Sequence, residues 1–143
     1  ELNVNKDENF QILKKIEKLL TKVDFKSLLN FHKKNNNDLT ICTKKHTIEV
    51  PYGVIYEKKQ IVDKIDEKPK YNFNVNAGIY VISKKILLIT KRKNFLNMDE
   101  LINNALRKKF KVKIYPLHEY WIDIGKAEDL ERVQIDIKDG LKI

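Results

Sequence analysis

The chain has one cysteine, one tryptophan, four glycines and three histidines among its 143 residues. The lone Cys42 excludes an internal disulfide and a cysteine-rich zinc site. It lies in the apolar run "LTIC", where a buried, inert thiol is expected rather than a nucleophile. His32, His46 and His118 are scattered without the close spacing of a metal-binding pair, so no histidine metal site is expected. No apolar stretch approaches the roughly 18 residues that cross a bilayer. No signal-peptide pattern opens the chain either, and a soluble protein of the cytoplasm with no membrane partner is expected. Arginine is scarce as well. Lys+Arg number 29 against 20 Asp+Glu, a net charge of +9, yet the only arginines are Arg92, Arg107 and Arg132. Base readout favours arginine, and these lysines are interleaved with acids along helical faces, so a nucleic-acid partner is not expected. The first residue is Glu1 rather than methionine, as in a fragment or a processed chain.

What is present reads as a globular α/β chain. Hydrophobic residues make up 42% and charged residues 34%, and the length suits one domain with a real core. "DENFQILKKIEKLLTKV" sets Phe10, Leu13, Ile16 and Leu20 at helical spacing behind Asp7, predicting an amphipathic helix. "DFKSLLNFHKKNN" predicts a second helix, capped by Asp24, burying Phe25, Leu28, Leu29 and Phe31 and stopped by Asn35–Asn37. "DLTICTKK" predicts a short buried strand. From Glu49 to Lys68, apolar and polar residues alternate on both sides of a Glu57–Gln60 turn, the pattern of an antiparallel hairpin that Pro69 ends. "YNFNVNAGIYVIS" is a strand with Gly78 inside it, which marks a bulge or a close approach. A short helix or turn over "KKILLIT", a loop at "KRKNF", a capped helix over "NMDELINNALRKK", strands at "FKVKIYPL" and "EYWIDIG", and a helix over "KAEDLERVQIDI" complete the chain. The alternation predicts an α/β class with a mixed sheet, the hairpin supplying antiparallel strands.

Four short stretches could carry chemistry: "PYGVI", "DEKP", "NAGIY" and "WIDIG". Each alone has a plain structural reading: a strand entry at Pro51, a charged surface turn, a strand glycine, and a core tryptophan before a turn. In the last, Asp123 at a strand end, before Gly125 and a helix start, is also placed as a metal or phosphate site would be. Their order and spacing resemble the C-terminal portion of the sugar-1-phosphate nucleotidyltransferases, such as the mannose-1-phosphate guanylyltransferase-like and glucose-1-phosphate thymidylyltransferase-like enzymes. The resemblance runs from about Leu19 to Val133, with "MDELI", "VKIYPL" and "WIDIG" as its most specific ending.

This resemblance implies a Rossmann-like nucleotidyltransferase core that joins a sugar 1-phosphate to a nucleoside triphosphate, with release of pyrophosphate. It implies Mg²⁺, with Asp123 matching the second metal-binding aspartate of the family and Trp121 packed beneath it. It also implies that Glu67 bonds sugar hydroxyls and Lys68 reaches the sugar phosphate. Tyr52 and Gly53 would border the sugar, while Asn76, Ala77 and Gly78 would meet its hydroxyls with a side-chain amide and bare backbone. Asp123 and Lys68 are then the expected catalytic residues. Whether the protein forms a homo-oligomer stays open.

The chain departs from the family pattern in two places. The glycine-rich GxGxR loop that holds the triphosphate is absent, since Gly53, Gly78, Gly125 and Gly140 are all isolated. Lys18 stands where the first metal-binding carboxylate belongs. The expectation is therefore that the N-terminal nucleotide-binding part is missing. Residues 1–18 would form a helical segment of uncertain origin and residues 19–143 the sugar-phosphate-binding portion, and the chain is expected to be inactive alone. A catalytically inactive regulatory or assembly module that keeps the sugar-binding fold is the alternative.

Overall fold

The computed structural model describes residues 10–14, 19–90 and 97–141. The described strands are β1 (Phe10–Lys14), β2 (Leu19–Thr21), β3 (Leu39–Glu49), β4 (Gly53–Lys58), β5 (Ile61–Glu67), β6 (Lys70–Ser83), β7 (Val112–Pro116) and β8 (Trp121–Asp123). The helices are α1 (Phe25–Lys34), α2 (Lys84–Thr90), α3 (Met98–Arg107) and α4 (Ala127–Lys138). The chain divides into two compact units, one of residues 1–44 with 76–143 and one of residues 45–75. Among the described residues, no helix is long and apolar enough to cross a membrane.

The larger unit is built on a sheet ordered β1-β6-β3-β7. β1 runs antiparallel to β6, and β3 runs parallel to β7, so the sheet is mixed as expected. Alternate residues of β6 enter different cores, as the two-residue period of a strand requires. Ala77, Ile79 and Val81 join Leu28 of α1, Cys42 and Leu117 in one cluster, against which Trp121 packs. Tyr80 and Ile82 join Leu39, Ile86 of α2, and Leu101 and Ala105 of α3 in the other. A strand buried on both faces explains why "NAGIYVIS" reads as a nearly continuous apolar run.

α1 forms for the reason its sequence suggests. The Asp24 carboxylate accepts hydrogen bonds from the backbone N–H groups of Lys26 and Ser27, and Asn36 leaves the helix with φ +49°. In α3 the cap position falls to Asn97, whose side chain makes no cap bond; Asp99 and Glu100 place negative charge in the first turn instead.

The expected N-terminal helix is corrected. Phe10–Lys14 is a strand paired with Ile79–Ser83, and Leu19–Thr21 is a strand paired with Trp121–Asp123. The Phe10, Leu13, Leu20 spacing fits a helix locally. A short apolar run is ambiguous between the two states, and pairing with a sheet edge decides for strand. Asp7 and Ile16 of that expectation, and all of "KRKNF", lie outside the described residues.

The smaller unit holds the predicted hairpin. β4 and β5 are antiparallel, with Gly53 opposite Glu67 and Ile55 opposite Ile65. The connection is the two-residue turn Lys59–Gln60, with φ of +53° and +67°. Positive φ at both central residues matches the right-handed twist of the flanking strands.

Candidate functional site

In the smaller unit, Tyr52, Gly53, Glu67 and Lys68 come together where β4 begins and β5 ends. A Cβ on Gly53 would lie 2.9 Å from Glu67 Oε2 and 3.4 Å from Ile65 Cδ1, so the glycine lets the carboxylate rest against the backbone. The Lys68 N–H donates to the Tyr52 carbonyl at 3.3 Å, and Lys68 itself has φ +47°. All four residues are exposed. The result is an acceptor, Glu67, beside an ammonium-bearing residue, Lys68, on backbone closed by a cross-strand bond. These are the groups that bond hydroxyls and balance phosphate charge.

In the larger unit, Asn76, Ala77 and Gly78 lie on β6. Gly78 has φ +71°, a conformation that favours glycine. Asn76 Oδ1 accepts the Gly78 N–H at 3.0 Å, and Asn76 Nδ2 donates to the Tyr80 hydroxyl at 2.8 Å. The Asn76 amide therefore has partners within its own strand at both ends, which its expected role toward a sugar does not include. Tyr80 is buried, and burial raises its phenol pKa, while the bond from Asn76 acts in the opposite direction.

Asp123 ends β8, half-buried and opposite Leu19. Two residues earlier, Trp121 Nε1 donates to the Ala77 carbonyl at 2.9 Å. The indole thereby ties the strand of Asp123 to the Asn76–Gly78 stretch, across 44 residues of sequence. Before it, the Tyr120 carbonyl accepts from Lys22 N and Thr21 Oγ1, both at 3.1 Å. The Tyr120 hydroxyl donates to Asp136 Oδ2 of α4 at 2.6 Å, and burial with that bond pushes its pKa up to about 12. Past Asp123, Asp129 Oδ2 accepts from Gly125 N at 3.0 Å and Lys126 N at 2.9 Å. The start of α4 thus already carries its own carboxylate, which weighs against an anion there.

Cys42 and His32 are structural. Cys42 is fully buried, and burial pushes its thiol up to about 12, so it is no nucleophile at neutral pH. His32 is buried, with Nδ1 2.8 Å from Thr40 Oγ1, and burial lowers its pKa toward the neutral ring. No group of three His, Cys, Asp or Glu residues among the described residues is arranged to hold a metal. A cavity of about 440 Å³, lined by His32, Asn37, Asp38, Ser83 and Lys84 among others, contains none of the expected site residues. Its unpartnered polar atoms, Asn37 Oδ1 and Ser83 Oγ, are sealed from solvent.

A mixed sheet with helices over both cores, and a glycine-bearing strand tied to an aspartate-bearing one, define an α/β protein. The nucleotidyl transferase family profile matches residues 2–140, and the chain belongs to that family. It is 31% identical over 134 residues to a glucose-1-phosphate adenylyltransferase of Clostridium acetobutylicum, covering 82% of this chain and 34% of that protein. It is 33% identical over 110 residues to a mannose-1-phosphate guanyltransferase of Yarrowia lipolytica, covering 73% and 30%. The chain thus spans about a third of the length of these curated relatives. Among solved structures, HddC from Yersinia pseudotuberculosis matches with a TM-score of 0.62 at 24% identity, over 92% of this chain and 56% of that one. The family match begins within the stretch 1–18.

Proposed function

We propose that this chain is the sugar-phosphate-binding part of a sugar-1-phosphate nucleotidyltransferase of nucleotide-sugar synthesis. The observation that carries the reading is the family match over residues 2–140, and the bond from Trp121 Nε1 to the Ala77 carbonyl joins the strand of Asp123 to the segment Asn76–Gly78. Family membership and the names of the relatives support the reaction class.

In that reaction a phosphate oxygen of the sugar 1-phosphate attacks the α-phosphorus of a nucleoside triphosphate in line. The bond from the α-phosphorus to the bridging oxygen breaks, and its electron pair leaves with pyrophosphate. Lys68 balances the charge of the sugar phosphate, and Glu67 accepts hydrogen bonds from sugar hydroxyls. By the family resemblance, the backbone of Tyr52 and Gly53 in the smaller unit and that of Ala77 and Gly78 in the larger are each assigned to sugar contact. Asp123 offers one hard oxygen ligand, which fits Mg²⁺, an ion that keeps several waters and takes its other ligands from substrate phosphates. When bound, Mg²⁺ would offset charge on the reacting phosphates. The chain carries no GxGxR loop, and the triphosphate contacts are assigned to residues outside it.

The test uses the full-length protein that contains this chain, with a panel of hexose 1-phosphates and nucleoside triphosphates. Metal-dependent pyrophosphate release is expected, and Asp123→Asn should lower it at least 100-fold, about 3 kcal/mol of transition-state stabilisation, while the thermal midpoint stays near the wild-type value. Absence of turnover across the panel would favour the inactive regulatory or assembly module. Turnover untouched by Asp123→Asn would remove the metal assignment.

A further inference from the structure

We infer that Trp121 and Tyr80 are positioning residues with separable tasks: Trp121 registers the Asp123 strand against the Asn76–Gly78 segment, and Tyr80 braces that segment through Asn76. The inference rests on the proposed function for the roles of Asp123 and of Asn76–Gly78. It changes the part assigned to Asn76, whose amide holds its own strand in shape.

Three hydrogen bonds carry the inference. Asn76 Oδ1 accepts the Gly78 N–H at 3.0 Å, closing a local turn around the positive φ of Gly78. Asn76 Nδ2 donates to the buried Tyr80 hydroxyl at 2.8 Å, anchoring that turn to the core of Leu39, Ile82 and Ile86. Trp121 Nε1 donates to the Ala77 carbonyl at 2.9 Å from the opposite cluster, where Ala77 and Trp121 pack together. The first two bonds shape the segment and do not involve β8. The third adds nothing to that shape but couples it to β8, two residues from Asp123. An indole is suited to this task, since it has a large apolar body and a single donor that selects one partner. Turnover that requires the sugar phosphate and the Asp123 carboxylate in register then depends on Trp121, since small misplacements weigh heavily on rate. Binding of the sugar phosphate by itself depends on Tyr80.

The experiment compares two variants in the full-length protein, each removing one polar group while keeping the ring. In the first, Trp121 is replaced by β-(3-benzothienyl)alanine, in which sulfur stands where the indole N–H was. In the second, Tyr80→Phe removes the hydroxyl. Hexose 1-phosphate binding is measured by calorimetry without metal or nucleotide, and kcat and KM by pyrophosphate release. Loss of the Trp121 donor should lower kcat about 10-fold, with the calorimetric affinity for the sugar phosphate within twofold of wild type. Tyr80→Phe should weaken that affinity about 5-fold, with kcat within twofold. A merely structural role predicts a lower thermal midpoint in both variants with kcat and affinity unchanged, and that result overturns the inference. The same holds if the two variants show the same signature. If the wild-type protein neither binds sugar phosphates nor turns over, the proposed function fails and this inference goes with it. A working wild type with an unaffected Trp121 variant overturns the inference alone.

Discussion

The Glu67 carboxylate rests against the backbone of Gly53: a Cβ added at position 53 would come within 2.9 Å of Glu67 Oε2. The two residues are direct cross-strand partners, so the contact is set by the register of the ribbon. Glycine at this position is explained by room for its partner's charged end.

Gly53→Ala tests that contact. The clashing atom is the far end of a flexible side chain, so Glu67 can turn aside at little cost in stability, and the thermal midpoint should move by no more than about 2 °C. Turning aside takes the carboxylate from its place, and the affinity for a hexose 1-phosphate should fall about 10- to 100-fold, the loss of one hydrogen bond to a charged group. Calorimetric titration reads this directly. An unchanged affinity would separate Glu67 from the sugar.

His32 predicts a pH dependence of stability. Burial lowers its folded pKa, partly opposed by the charge of Asp38. In the unfolded chain the ring takes up a proton near pH 6.5. Between that value and the lower folded one the unfolded state binds more protons, so stability falls as the pH falls. The wild-type thermal midpoint should drop more steeply from pH 7.5 to 5 than that of His32→Gln, which has no ring to protonate. Parallel profiles would show that another group governs the acid limb.

The ribbon turn offers a gain in stability. Lys59 and Gln60 both hold positive φ, which costs L-residues other than Asn, Asp and Gly on the order of 1 kcal/mol each. Asn-Gly is the favoured pair for such a turn. Lys59→Asn with Gln60→Gly should therefore slow amide exchange within β4 and β5 and leave the rest of the chain as it was. Faster exchange in the double variant would contradict the turn geometry.

Much of the fold is legible from short-range patterns. Asp24 ahead of "FKSLLNF" announces α1 because capping and helical spacing are local chemistry. The alternation from Glu49 to Lys68 announces the ribbon for the same reason, although its turn residues, Lys-Gln, carry no turn signal of their own. Phe10–Lys14 is the counterexample. Its apolar residues suit either state, and its partner, Ile79–Ser83, lies more than 60 residues away by the register of the two strands. The site divides in the same manner. Gly53, Glu67, Lys68, Asn76, Gly78 and Asp123 are expected site residues from motif order alone, whereas Tyr80 carries no such signal, because a tyrosine inside a buried strand looks like any other core residue.

The sequence by itself determined the α/β class, the helices with their own caps, the hairpin and the family pattern, since each depends on residues a few positions apart. Tertiary structure decided that β1 is a strand, that the Asn76 amide turns back on its own chain, and that Trp121 reaches the Ala77 carbonyl. Those outcomes depend on which donors and acceptors meet once both faces of β6 are buried. Buried polar groups must find partners, and the partners lie far apart in sequence.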